Sequence, residues 1–297
     1  AAAALADASR QQELLLTLIA ELLKQNRTRF DSLWPSVAPA VAAALAPPAP
    51  IALLERGAVA LLRLCQRLIH RAGALDAVLP SLAPVLADAT NGAMAKGGAD
   101  AAAAADEVSS GVLQLLRAGA AAEIKSADAW AVVLSLASSP PLVALPSASA
   151  RAFDALTEVS RDVCALNFHS LIDALEAHAK AVAAPAGRAE LAIDLLFELH
   201  AKLEPIVAEL RDNRRRAEVV SEEAAWLQLW LPVLRAVFVQ CFDKRAVVRD
   251  HAVAVLQRAL LDGGRRPMPA AVWGRTFEQV VFPLLAELLQ RTMDGRL

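Results

Sequence analysis

Two stretches of apolar residues at helical spacing, meeting at one aspartate, constrain this chain more than any other feature. From Trp226 to Leu261 it reads WLQLWLPVLRAVFVQCFDKRAVVRDHAVAVLQRALL. Leu227, Leu231, Leu234, Val237, Phe238 and Cys241 recur every three or four residues, which lines one face of a helix. Val247, Val248, Ala252, Val255, Leu256 and Leu260 do the same in the second stretch, with Arg245, Arg249, Asp250 and Gln257 elsewhere. Asp243 stands between them as a short acceptor, predicted to cap the second helix. The product is a helical hairpin, and a hairpin cannot bury its own stripes without a neighbour to stack on.

The hairpin resembles a HEAT-type repeat, with Pro232 early in the first helix, Asp243 at the turn, and Ala252 small enough for close approach. Composition supports helices throughout. The 297 residues are 56% hydrophobic but only 4% aromatic, with no tyrosine. Ala, Leu and Val therefore supply the apolar surface, and Ala and Leu favour helix over strand. The expected fold class is all-α, a HEAT/armadillo-like helical-hairpin solenoid.

A net charge of -2 gives no general pull toward nucleic acid. Cys65, Cys164 and Cys241 are too dispersed for a metal knuckle and odd in number for a disulfide set, which points to a reducing compartment. Ala1 to Ser9 lacks the basic start and apolar core of a signal peptide. No apolar run reaches the roughly 20 residues of a membrane span. The absence of an initial Met suggests a piece of something longer.

Taken in order, helices are expected over Gln11–Gln25, with Leu15, Leu18, Ile19, Leu22 and Leu23 inward, then from Asp31 or Ser32 to Leu45, and over Ile51–Arg71. On the third, Leu54, Ala58, Leu61, Leu62, Cys65, Leu68 and Ile69 form the apolar face. Arg56, Arg63, Arg67, His70 and Arg71 share an arc of about 100° on that helix, a basic stripe that is either a solvated face, a set of partners for carboxylates of the adjacent repeat, or a surface suited to an acidic partner or a lipid headgroup. Thr90–Ala105 reads as a low-complexity loop. Ser138-Ser139-Pro140-Pro141 is the clearest break, so the chain is divided into regions 1–139 and 140–297. Pro205 should kink or split the helix running from Glu190 to Arg216. Arg214, Arg215 and Arg216 form a second basic cluster, with Glu218, Glu222 and Glu223 close behind.

The residues offer no chemistry. There is no phosphate loop, zinc-protease motif, C-x-x-C or nucleophile elbow. His169 and His178 lie nine apart on one helix, too far to share a metal. His200 and His251 fall in apolar-periodic helices, where a satisfied core histidine is the ordinary reading. No catalytic residue, metal site or cofactor is expected. Trp226 and Trp230 share a face, and the tryptophans are expected to fill the core rather than a binding slot.

Several short patterns then fall in one order. They are Asn26, Arg27, Arg29 and Trp34 after an apolar helix; Glu55 and Arg56 opening E-R-G-A-V-A-L-L-R-L; I-K-S-A-D-A-W ending at Trp130; L-H-A-K around His200; W-x-x-x-W-x-P from Trp226 through Trp230; Asp243; and V-R-x-x-A-x-x-x-L-Q-R from Val248 through Arg249. In this order they resemble the homology regions downstream of the exchange domain in large Golgi-type (GBF/Gea/GNOM class) ARF guanine-nucleotide exchange factors. Gly57 and short loops near Ala99 and Ala183 depart from that pattern.

The resemblance implies two downstream helical-repeat regions, corresponding to 1–139 and 140–297. It implies a non-catalytic part that regulates exchange and recruits the protein to Golgi membranes in vesicle traffic, cytoplasmic and peripherally membrane-associated. Implied partners are small GTPases of ARF or Rab type, the exchange domain of the same protein and anionic lipid, with homodimerisation left open and no nucleic acid. The motif residues would be structural. Arg56, Arg63, Arg67, Arg71 and Arg214–Arg216 would form the lipid or partner surface. The alternative is a generic HEAT scaffold of transport-receptor or coat-adaptor type.

Overall fold

Within the sequence, a computed structural model describes residues 2–46, 48–91, 98–182, 184–212, 221–263 and 268–293. These are helical with short turns, and there is no strand among the described residues. The fold is all-α with helical-repeat character, as the periodicity requires. The chain divides into two compact units, Ala1–Asp162 and Val163–Leu297.

Unit 1 contains α1 (Ala2–Gln25), a 3-10 turn at Arg27–Arg29, α2 (Phe30–Leu45), α3 (Ile51–Leu68) and α4 (Ala74–Val78). A second 3-10 turn, Leu79–Leu82, leads into α5 (Ala83–Asn91). Then come α6 (Ala99–Arg117), α7 (Ala120–Glu123), α8 (Ala127–Ala137), α9 (Pro140–Val143) and α10 (Pro146–Arg161). Helices α1, α3, α6 and α10 pack in succession as one layer, with α2, the α4–α5 segment and α8 beneath them. Each hairpin thus buries its stripes against the next. On α3 every residue expected inward is buried, from Leu54 to Ile69.

Three expectations are corrected in this unit. Leu15, Leu18 and Leu22 of α1 face solvent, whereas Leu16, Ala20 and Leu23 are buried; α2 and α3 take a narrower stripe than the leucines of α1 could supply. Ala99–Ala105 is helix, not loop: alanine is the strongest helix former, and Ala101, Ala104 and Ala105 are buried. Gly57, read as a departure, sits where α3 meets α2. A Cβ there would come 2.5 Å from Leu45 Cδ2, so any larger residue would force the Leu45 side chain to shift. Finally, the boundary expected after residue 139 lies inside the unit, because α10 packs along α6. Ala152, Ala155 and Leu156 are buried, Ser147 Oγ donates to Asp106 at 3.0 Å, and Arg151 pairs with the same carboxylate.

Unit 2 contains α11 (Phe168–Lys180), α12 (Ala186–His200), α13 (Leu203–Asp212), α14 (Glu222–Gln240), α15 (Ala246–Gly263), α16 (Ala270–Thr276), a π-helical turn at Phe277–Val281, and α17 (Phe282–Met293). The helix containing Pro205 is split as expected, with the break at Ala201–Lys202. Helix α14 is central, touching α11, α12, α13, α15 and α16. Trp226 and Trp230 are buried in it. Val247, expected in the stripe of α15, is instead exposed beside buried Val248. No described helix is long and apolar enough to cross a membrane.

Candidate interaction surfaces

The basic stripe of α3 resolves into residues with different work. Arg71, just beyond the helix, donates to Arg27 O at 2.7 Å, Thr28 O at 3.4 Å, and both carboxylate oxygens of Asp31 at 3.2 and 2.6 Å. It therefore ties the α1–α2 turn, which holds Asn26, Arg27 and Arg29, to the end of α3. Its guanidinium hydrogen bonds hold the Asp31 carboxyl below the ordinary carboxylate value. Arg56 pairs with Glu13 of α1. Arg63 and Arg67 are exposed, as is His70. Of the four arginines expected on this surface, Arg56 is exposed as well, while Arg56 and Arg71 also help hold helices together.

Arg63 also lines a cleft of about 300 Å³ with Glu21, Lys24, Glu55, Arg56 and Glu107. Three acids and three bases meet there, which suits a polar protein surface better than a bare anion. Arg214, Arg215 and Arg216 lie outside the described residues.

The remaining motif residues form the frame. Asn26 Nδ2 donates to Leu22 O at 2.8 Å, closing the end of α1. Trp34 stacks on Phe30 with ring centroids 5.6 Å apart, and both are buried. Trp130 is buried in α8. The Trp230 indole N–H donates to Thr276 Oγ1 at 3.1 Å, and a Cβ on Gly263 would come 2.9 Å from the same indole. Buried His200 packs against Phe197, with ring centroids 4.2 Å apart, and places Nε2 3.4 Å from Asp262 Oδ2.

Asp243 differs from expectation. Its carboxylate accepts from the Arg245 backbone N–H at 2.8 Å and from that guanidinium at 2.9 and 2.8 Å. It therefore organises the turn instead of capping the first N–H groups of α15. Those hydrogen bonds hold Asp243 below the usual carboxylate range. Arg249 Nη1 donates to the carbonyls of Asp243 and Lys244, at 3.1 and 3.2 Å.

Arg245, which sequence reasoning placed only off the apolar stripe, is the pin of this region. It donates to the carbonyls of Ala179, Ala181 and Ala184, at 2.7, 3.3 and 3.4 Å. Ala179 and Ala181 lie at the C-terminal end of α11, where carbonyls lack helical partners, and Ala184 lies just before α12. The available signal was a lone arginine following Asp-Lys at a hairpin turn. Its acceptors, more than sixty residues away, leave no trace in local pattern.

Among the described residues, two apolar faces are exposed. On α1 they are Leu14, Leu15, Leu18 and Leu22, at 61, 48, 57 and 47% exposure; on α17 they are Phe282, Leu285, Leu289 and Met293. Among the described residues no His/Cys/Asp/Glu group could hold a metal ion.

The comparisons agree with this frame. A family model described as the GBF1-like tetratricopeptide repeat region matches residues 230–296. That description and the HEAT-type reading share stacked helical hairpins. The ARF guanine-nucleotide exchange factor GNL1 of Arabidopsis thaliana is 27% identical over 292 residues, covering 94% of this chain and 19% of that protein. GNOM of the same plant is 27% identical over 297 residues, covering 95% of this chain and 20% of that protein. The Golgi-specific brefeldin A-resistance guanine nucleotide exchange factor 1 homolog of Caenorhabditis elegans is 33% identical over 100 residues, covering 33% of this chain and 5% of that protein. The chain spans about a fifth of the length of the two plant relatives. No solved structure matches.

Proposed function

We propose, from the chain's kinship with a helical region of GBF/GNOM-class ARF guanine-nucleotide exchange factors, that it is a non-catalytic regulatory and recruitment region of such a factor. It works beside an exchange domain, at the cytoplasmic face of Golgi membranes, by docking through the surfaces of stacked hairpins. The observation that carries this reading is the continuous match, 94 to 95% of the chain, to two ARF exchange factors. An accidental succession of short motifs on a generic scaffold would not align from end to end.

The docking partners are an ARF- or Rab-type GTPase, the exchange domain of the same protein and anionic lipid. Arg63 and Arg67, with the mixed-charge cleft beside Arg63, form the contact surface. The test is retention of the chain by immobilised ARF, Rab and exchange domain, and its co-sedimentation with vesicles of phosphatidylcholine containing phosphatidylserine. Arg63→Glu with Arg67→Glu should weaken at least one of these while leaving the circular dichroism unchanged. Failure of every bait and vesicle to retain the unaltered chain would overturn the proposal. Retention indifferent to the double substitution would remove this surface from it.

A further inference from the structure

The turn between α1 and α2 carries a pattern that the helical frame does not use. From Arg27 the chain reads R-T-R-F-D-S-L, which sets arginine five and three residues before Ser32 and Leu33 directly after it. Ser32 is the only serine or threonine of the chain with an arginine three residues before it. Arg27, Arg29 and Ser32 are all exposed, and the Ser32 hydroxyl donates only locally, to Arg29 O at 2.8 Å. Two guanidinium groups at that spacing suit the acidic substrate groove of a basophilic kinase, where each finds a carboxylate to pair with. We propose that Ser32 is a phosphorylation site for a kinase of that class, guarded by Arg71.

In the transfer, Ser32 Oγ gives its proton to the kinase's carboxylate base and bonds to the γ-phosphorus of ATP. The bond from that phosphorus to the bridging oxygen breaks, and ADP leaves. The phosphate then stands on the third residue of α2, in the first turn, where the helix dipole favours negative charge. Its charge of about −2 offsets the excess of Arg27, Arg29 and Arg71 over Asp31 around the same turn.

The fold controls access to the hydroxyl. A kinase groove takes its substrate extended, whereas Arg27–Arg29 form a 3-10 turn, and Phe30, two residues before Ser32, is buried and stacked on Trp34. The turn must therefore open before transfer. Arg71 keeps it shut, because its hydrogen bonds to Arg27 O, Thr28 O and the Asp31 carboxylate fasten the turn to the end of α3. Where opening and closing are fast, modification follows the population of the open form. The clasp thus sets the rate.

The test is incubation of the 297-residue chain with Mg²⁺, ATP and the catalytic domain of a kinase that selects arginine at both positions, with the phosphate located by mass spectrometry. It needs no GTPase, exchange domain or vesicle, so its failure leaves the docking reading standing. Phosphate is expected on Ser32 and absent from that peptide in Ser32→Ala. Arg29→Gln should lower the rate at least about tenfold. Arg71→Ala, which leaves the motif intact, should raise it about threefold or more, with circular dichroism unchanged at the assay temperature. Arg71→Lys, which keeps the charge without the planar fork, should raise it less and serves should alanine disturb the helices. No phosphate on Ser32 of the unaltered chain, a rate indifferent to Arg29→Gln, or a rate indifferent to both Arg71 substitutions would overturn the proposal.

Discussion

Arg245 shows how one side chain can join elements far apart in sequence. Its guanidinium is charged under all working conditions and satisfies three carbonyls between the last turn of α11 and the start of α12, while Asp243 holds it in place. Arg245→Ala should destabilise unit 2 by about 2–3 kcal/mol in chemical denaturation, and lysine should not restore it, having no planar fork. Asp243→Asn tests the electrostatic half. A carboxyl held below its unfolded value, 3.8, lends stability that is present above that pH and is lost as pH falls through the folded value. The variant should therefore differ most from the unaltered protein at neutral pH, and the two should converge in acid. The cysteines supply another reading at this scale. Burial pushes the Cys65 and Cys241 thiols up to about 12, so both remain neutral thiols at ordinary pH. Cys164, only half-buried, should be the first to react with a thiol reagent, the other two following only on unfolding.

At the scale of the element, the sequence discloses helices better than it discloses their faces. The apolar spacing of α3 names its buried residues because packing surrounds the whole stripe. In α1 the same spacing spans a wider arc than its neighbours cover, and periodicity alone cannot tell which leucines they take. The alanine run opening α6 misled for the opposite reason. Its low complexity has the look of a linker, yet small side chains are what close approach to α3 and α10 requires. Ala104 is fully buried and Ala103 exposed. Ala104→Leu should cost about 1–3 kcal/mol through overpacking, while Ala103→Leu should change the melting curve little. The surface was legible only in part: Arg63 and Arg67 stand exposed as the stripe foretold, but Arg71 could not be assigned to the α1–α2 turn without knowing which turn lay beside it.

For the molecule as a whole, the place where it divides is a physical matter. A fragment ending at Asp162 keeps α10 against α6 and should unfold cooperatively with high helicity. One ending at Ser139 strips away α10, which packs along α6 in the intact unit, and should melt broadly or aggregate. Tryptophan placement gives the intact protein an optical consequence. With no tyrosine in the chain, its intrinsic fluorescence arises from indoles, Trp34 and Trp130 reporting on unit 1 and Trp226, Trp230 and Trp273 on unit 2. Replacing the first pair by phenylalanine would silence one half, so that light emitted during heating discloses whether the halves let go together or one after the other.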